Sequence, residues 1–304
     1  MAKYPVHAQD PYLDKASGIL RNRLGITDQA ELDRAEATLA LVRSLELVKQ
    51  PVDGRYDLAH LQEIHARLFG DVYDWAGQIR TVDISKGDTR FANFQQIESY
   101  APEIFKPLHR EQLLRALDVD TFCQRAGHYL GELNVLHPFR EGNGRSIREF
   151  IGQVARGAGY AIDWKGVDRA DMTKASIEAY EGDSTRMAAL IRTNICDLDQ
   201  ERAIDLARAV VGEKMAVRPA TPGRTYEGVI LGVTERYVVQ AQGDEMVLHF
   251  KRSLLQTPLL EAGKSVAVRY PHGGVGLVEG WSGEKPAPAL EREIERTRDR
   301  DLER

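Results

Sequence analysis

HPFREGNGRSIR, His137 to Arg148, is the stretch on which the reading of this chain turns. Upstream, the spacing predicts a helix from about Asp120 to Leu136; downstream, the run SIREFIGQVARGAG predicts a second helix beginning around Arg145. The residues between them therefore form a tight loop at a helix N-terminus, where unpaired backbone N–H groups and the positive end of the helix dipole favour an anion. Gly142 and Gly144 carry no Cβ, so the backbone can close on phosphate oxygens, and Asn143 tolerates left-handed geometry while offering an amide donor. Arg145 and Arg148 lie three residues apart on one face of the second helix, which points to more than one phosphate. Glu141 supplies a carboxylate suited to Mg²⁺ bridging two phosphates, and His137 has the titration range of a general base. Phe139 reads as an anchor that carries the loop into the core.

Working outward, most of the first two-thirds of the chain reads as helix. Asp28 followed by Glu31 predicts an N-terminal cap, with Leu32, Ala35, Leu39 and Val42 as the apolar face of a helix that stops before Pro51. Asp57 predicts the cap of a second helix, DLAHLQEIHARLF, with Leu58, Leu61, Ile64 and Leu68 on one side. A third helix is expected after Asn93. Between the second and third, β-branched residues flanking Lys86-Gly87-Asp88 predict a short surface hairpin.

The composition changes at VRPATPGR, where Pro219, Pro222 and Gly223 mark the expected domain boundary. From Tyr226 to about Val278 apolar and polar residues alternate, with turn signals at Gly243-Asp244 and Gly273-Gly274. The expectation is a small all-β domain, an OB-like or other small barrel. The tail ALEREIERTRDRDLER is charged, with Leu290, Ile294 and Leu302 as its apolar members, and reads as a solvated helix. The fold class is thus mainly α, divided into a helical domain at 1–217, a small β domain at 218–283 and a charged helical tail at 284–304.

The 304 residues are enough for two domains with full cores. A net charge of -5 and a pI near 6.0 give no general electrostatic reason to bind nucleic acid or an anionic membrane, and neither partner is expected. No apolar run approaches the roughly 18 residues of a membrane span, and the N-terminus lacks the apolar core of a signal peptide. The two cysteines, Cys123 and Cys196, fall in segments that read as helices, which favours a reducing compartment, the cytoplasm.

With those residues in view, His137-Pro-Phe-Arg-Glu-Gly-Asn-Gly-Arg145-Ser-Ile-Arg148 resembles, at every position, the Fic signature His-x-Phe-x-(Asp/Glu)-Gly-Asn-Gly-Arg-x-x-Arg. The likeness extends over about residues 10 to 200. LFGDVYDWAGQIRTVDISKG resembles the approach to the family's flap hairpin, and AYEGDSTRMAALI its closing helices. The chain is most similar to Fic domains of bacterial type IV secretion effectors and related toxins, in which a small β domain and then a secretion domain follow. The given length leaves no room for that third part.

The resemblance implies a Fic-type helical bundle with a β-hairpin flap at about 81–95, and an adenylyltransferase that moves AMP from ATP to a Tyr, Thr or Ser hydroxyl of a target protein, releasing pyrophosphate. It implies that His137 takes the hydroxyl proton, that Glu141 holds Mg²⁺, and that Gly142, Asn143, Gly144, Arg145 and Arg148 bind the nucleotide phosphates. Lys86, Thr89, Arg90 and Phe91 would contact the target on the flap. Gly144 stands where the phosphorylating branch has lysine, and Gly142 where the phosphocholine branch has alanine, so AMP transfer is favoured; UMP or GMP transfer remains open. The family's inhibitory Ser/Thr-x-x-x-Glu-Gly/Asn is matched in part at Thr27–Glu31, Ser99–Glu103 and Thr257–Glu261, but Leu32, Ile104 and Ala262 follow. A separate antitoxin-like protein is therefore expected to supply the glutamate, to Arg148. The site of action is the cytoplasm, or a host cell after translocation. The other class of function is a non-catalytic binding protein acting through its β domain, where His249, Phe250, Lys251 and Arg252 form a short basic-aromatic run; the complete signature ranks it second.

Overall fold

The computed structural model describes residues 10–281 apart from 88, 257, 258 and 272, so the expected tail at 284–304 lies outside the described residues. The chain divides after Cys196 into two compact units.

Short polar side chains start the helices of the first unit. The Asp28 carboxylate accepts from the Glu31 N–H at 2.8 Å and opens α1 (Gln29–Lys49). Asp57 accepts from the His60 N–H and opens α2 (Leu58–Phe69). Asn93 caps a single 3-10 turn that runs into α3 (Ile97–Arg110), and Asp118 caps α4 (Val119–Leu136). Next come α5 (Asn143–Gly157), α6 (Arg169–Tyr180) and α7 (Thr185–Thr193). The flap hairpin is as short as a ladder can be: β1 (Ser85–Lys86) pairs with β2 (Thr89–Arg90). A second small sheet joins β3 (Tyr160–Ile162) to β4 (Ile195–Asp197). Cys196 thus sits on a strand rather than the expected helix, and Cys123 is a buried thiol.

The bundle is built around α4, which packs against α3, α5, α6 and α7. Phe122, Ala126, Leu133 and Leu136 on α4 are fully buried. At Gly127 a Cβ would lie 2.8 Å from the Ala188 nitrogen, so only glycine lets α7 cross so closely. The buried face of α1 differs from the expected one. It is Leu32, Glu36, Ala40 and Leu47, while Val42 is exposed. Glu36 breaks the apolar pattern because its carboxylate is consumed inside the protein, as described below.

The second unit begins with α8 (Leu198–Val211) and continues with β5 (Ala216–Pro219), β6 (Thr225–Val233), β7 (Tyr237–Gln242), β8 (Glu245–Phe250), β9 (Leu254–Leu255), β10 (Ser265–Arg269) and β11 (Gly276–Gly280). The sheet is seven-stranded and mixed, in the order β5-β8-β7-β6-β10-β11-β9, with parallel pairs at its two ends. Tyr226, Ile230, Val238, Val247, Val266 and Val268 form one apolar cluster. Leu231, Tyr237, Val239, Met246 and Leu248 point the other way and pack on Ala203 and Ala207 of α8. Burial on both faces explains why β6 to β8 carry apolar runs longer than simple alternation allows.

The second unit bears on three expectations. The small all-β domain is a mixed sheet in which no closure into a barrel is shown among the described residues, β5 and β9 standing at opposite ends of the strand order. The two compact units meet at 196/197, and α8 goes with the second because its apolar face packs on the sheet. The basic-aromatic run is split: His249 is fully buried, bonded to Gln240 Oε1 and the Tyr270 hydroxyl, while Phe250 and Lys251 are half-buried and Arg252 is exposed.

Candidate active site

α4 ends where His137 turns left-handed, φ 45° and ψ 61°, its N–H closing on the Leu133 carbonyl at 3.0 Å. Pro138 follows and disfavours right-handed helix at His137, which explains why the chain leaves the helix there. The His137 Nδ1 lies 2.9 Å from the Asn134 carbonyl. A carbonyl can only accept, so Nδ1 carries the proton and the lone pair is on Nε2, the tautomer a general base requires. Burial pushes the His137 pKa down to about 3, and the charges of Arg80 and Lys86 act the same way. The ring is neutral at pH 7.

The loop that follows is tied to itself and to the core. Phe139 is fully buried and stacks on His65 with ring centroids 3.9 Å apart. Asn143 bridges the Phe139 backbone with both ends of its amide, accepting from N–H at 2.8 Å and donating to C=O at 2.7 Å. Its side chain is therefore committed to loop shape, and what it offers an anion is its backbone N–H in the first turn of α5. Gly142, left-handed at φ 82°, precedes that turn, and the α5 helix starts at Asn143, slightly before the expected Arg145. Glu141 is 8% exposed, and its Oε1 accepts from the Gly142 N–H at 3.0 Å.

Arg145 and Arg148 are held differently. The Arg145 guanidinium lies 4.6 Å above the Phe69 ring and is bonded to the Glu36 carboxylate, with Glu141 Oε1 at 4.0 Å. Arg148 forms no hydrogen bond or ion pair among the described residues. Burial, and then the charge of Arg145, lower its pKa, so an anion seated between the two would relieve both penalties.

Of the flap residues, Phe91 is brought onto the site. Its ring stacks on the His137 imidazole at 3.6 Å and 12°. Lys86 and Arg90 are exposed and Thr89 half-buried on the hairpin; Lys86 acts on His137 through charge alone in the contacts described.

Several supporting residues gave no clear sequence signal. His65 accepts the Gly77 N–H on Nδ1 at 2.8 Å, so its Nε2–H donates to the Glu141 carbonyl at 2.9 Å and pins the loop. Glu36 accepts from the Tyr73 hydroxyl as well as from Arg145. Arg140, 2% exposed, pairs with Asp10 at 2.8 Å. Arg80 joins the flap to His137 and is treated below. For all of them, Glu36 included, only the fold brings the partners together.

The model of the Fic/DOC family matches residues 55–155, a span that holds the whole loop, and the KfrB Domain model matches residues 225–279. The probable protein adenylyltransferase Fic of Escherichia coli K12 is 39% identical over 180 residues, covering 59% of this chain and 88% of that protein. The chain belongs to the Fic/DOC family. The protein adenylyltransferase VbhT of Bartonella schoenbuchensis is 54% identical over 210 residues, 69% of this Fic/DOC chain but 44% of the length of VbhT. Among solved structures, the Bartonella tribocorum effector BepC with bound AMPPNP superposes with a TM-score of 0.58 at 27% identity, over 63% of this chain and 99% of that one.

The buried imidazoles of this Fic/DOC domain predict an acid-sensitive fold. His65 and His137 have pKa values lowered from 6.5 to about 3, and that of His60 is also lowered, in each case chiefly by burial. In the unfolded chain His65 and His137 bind a proton near 6.5, whereas in the folded state they do not until about 3; His60 acts in the same direction. Stability is therefore whole above about 6.5 and is lost as pH falls towards 3, by up to about 1.4 kcal/mol per pH unit for each group. Calorimetry between pH 7 and 5 is expected to show a falling midpoint and net proton uptake on unfolding; a flat midpoint with no uptake overturns the assignment.

Proposed function

We propose that this chain is a Mg²⁺-dependent protein adenylyltransferase, transferring AMP from ATP to a Tyr, Thr or Ser hydroxyl of a target protein and releasing pyrophosphate. The observation that carries the reading is the tautomer of His137: a neutral imidazole with its lone pair on Nε2, set immediately before the N-terminus of a helix that holds two arginines. That places a proton acceptor beside a polyanion cradle. Protein adenylyltransferase is also the activity in the names of VbhT and, as probable, of the E. coli relative, and BepC was solved with an ATP analogue.

In this reading His137 Nε2 accepts the hydroxyl proton as the target oxygen attacks the α-phosphate. The first-turn N–H groups of α5, from Gly142, Asn143 and Gly144 onward, receive α- and β-phosphate oxygens; Arg145 contacts the β-phosphate and Arg148 the γ-phosphate, which aligns the leaving group. Glu141 is the one carboxylate of the cradle suited to the metal. Among the described residues no group of three His, Cys, Asp or Glu side chains could hold a metal alone, which fits an ion carried by the nucleotide. Mg²⁺, when bound, offsets charge on the departing pyrophosphate. Gly144 leaves the phosphate face open: a Cβ there would already meet Arg148 Nη1 at 3.3 Å, and a longer side chain would crowd the nucleotide. The flap, with Lys86, Thr89, Arg90 and Phe91, holds the target segment by strand pairing.

The partner that restrains the enzyme is, in this reading, a separate antitoxin-like protein whose Ser/Thr-x-x-x-Glu segment delivers a carboxylate to Arg148. No helix among the described residues is long and apolar enough to cross a membrane, and we extend the reading to a chain made in the cytoplasm that acts there or after delivery to another cell.

The test is label transfer in lysate with ATP carrying the label on either the α- or the γ-phosphate. Protein label is expected from the α position only, and to vanish with EDTA. Label from the γ position, or from neither, overturns AMP transfer.

A further inference from the structure

Arg80 lies just before the flap, and its side chain is fully buried. Each of its side-chain nitrogens donates to a backbone carbonyl: Nε to His137 at 2.9 Å, Nη1 to Val82 at 2.7 Å, and Nη2 to Ala92. Its own backbone N–H donates to Pro138 C=O at 2.9 Å. Val82 and Ala92 are the two stems of the hairpin, one entering and one leaving it. One guanidinium therefore joins both stems of the hairpin, two and 12 residues along the chain, to a turn 57 residues away.

Burying a cation is expensive, and an apolar side chain would fill the same volume without that penalty. What an apolar residue cannot do is satisfy three carbonyls in a fixed planar fork. The carbonyl it grips on His137 belongs to a residue in a left-handed turn, so the bond also fixes how the turn is oriented and where the ring points. Two further contacts close the same junction: Ala92 N–H donates to Val135 C=O at 3.0 Å, and Phe91 stacks on the His137 ring.

We infer that Arg80 is a positioning residue that bolts both stems of the flap to the His137 carbonyl, so that a peptide strand paired with the flap meets the imidazole in one fixed register. The inference rests on the transfer reaction proposed above. Arg80 touches no reacting atom in this scheme; it acts through His137 and the flap.

Arg80→Lys keeps the charge but offers one nitrogen for three carbonyls. In the full chain, the variant is expected to bind ATP with unchanged affinity, while transfer from α-labelled ATP to the protein band labelled by wild type falls about 100-fold. The KM for ATP stays the same. Unchanged transfer, or a loss that follows ATP affinity or the melting midpoint, overturns the inference. Two NMR measurements do not depend on the target. In the wild type, the Arg80 Nε–H is expected to exchange slowly with water, and exchange as fast as that of an exposed arginine sinks the idea even if the variant does not fold. In Arg80→Lys, the ring contact between Phe91 and His137 is expected to disappear, and its persistence is equally fatal. Should wild type label nothing, the transfer reading fails, and these two measurements still decide the role of Arg80.

Discussion

Replacing His137 with alanine is expected to lower AMP transfer by roughly a thousandfold, the range of a positioned general base, while ATP remains bound. The two properties separate because they come from different groups. The proton acceptor is the imidazole Nε2, whose lone pair exists because Nδ1–H is spent on the Asn134 carbonyl. The proposed phosphate contacts come from the first turn of α5 and from Arg145 and Arg148, none of which needs the ring. Nor should the fold suffer greatly. The left-handed turn is held through the His137 backbone, by its N–H to Leu133 and its C=O to Arg80, and alanine keeps both. Titration calorimetry with ATP, run beside the label-transfer assay, checks the prediction. A variant that loses ATP binding along with transfer would make His137 a structural residue, and one that keeps full transfer would remove it from the chemistry.

Gly142→Ala carries the second large effect, and here stability is what changes. At φ 82° any side chain is strained, by about 1 kcal/mol or more. The added Cβ would also fall 2.5 Å from Phe69 Cε2 and 2.6 Å from Cζ. Phe69 is fully buried, so it cannot swing into solvent, and overpacking of this kind costs about 1–3 kcal/mol. The Arg145 guanidinium rests on that same ring, so displacing it disturbs the proposed β-phosphate contact too. We expect denaturant unfolding to show a loss of about 2–4 kcal/mol, with transfer reduced beyond what the folded fraction explains. Gly144→Ala is the control: Gly144 is exposed, and its nearest neighbour is the flexible end of Arg148 at 3.3 Å. It should leave stability nearly unchanged. Equal stability of the two variants would mean that the loop has room beneath Gly142 after all.

What could be read from residues alone follows a physical division. Asp28, Asp57 and Asn93 act on N–H groups two or three residues away, so their caps show in the sequence. The signature loop is also local: its base, carboxylate and glycines lie within eight residues, with His137, Glu141 and Gly142 before α5 and Gly144 in its first turn. Long-range pairing is different. Arg80 and His65 reach across 57 and 76 residues to the loop, and nothing near either of them in sequence marks the partner. Glu36 was hidden by its own helix, because an amphipathic pattern treats every acid as solvent-facing, whereas this one meets Arg145 across 109 residues. Whether the β domain closes is equally hard to read. Alternation reports which residues face inward, but closure depends on whether the first and last strands of the sheet meet, and strands as short as β5 and β9 leave no such trace.

The helix α8 has a consequence for how such proteins are assembled from parts. Its apolar face completes the β unit, since Ala203 and Ala207 cover Leu231, Tyr237, Val239, Met246 and Leu248. A gene rearrangement that joined a β module to a new neighbour at the Pro- and Gly-rich segment 218–223 would strand that sheet with an uncovered, sticky face. One that broke the chain at 196/197 would carry the covering helix along with the sheet. A crossover upstream of the helix would thus keep that face of the sheet covered, although the KfrB Domain match itself begins only at residue 225, after the Pro-Gly stretch.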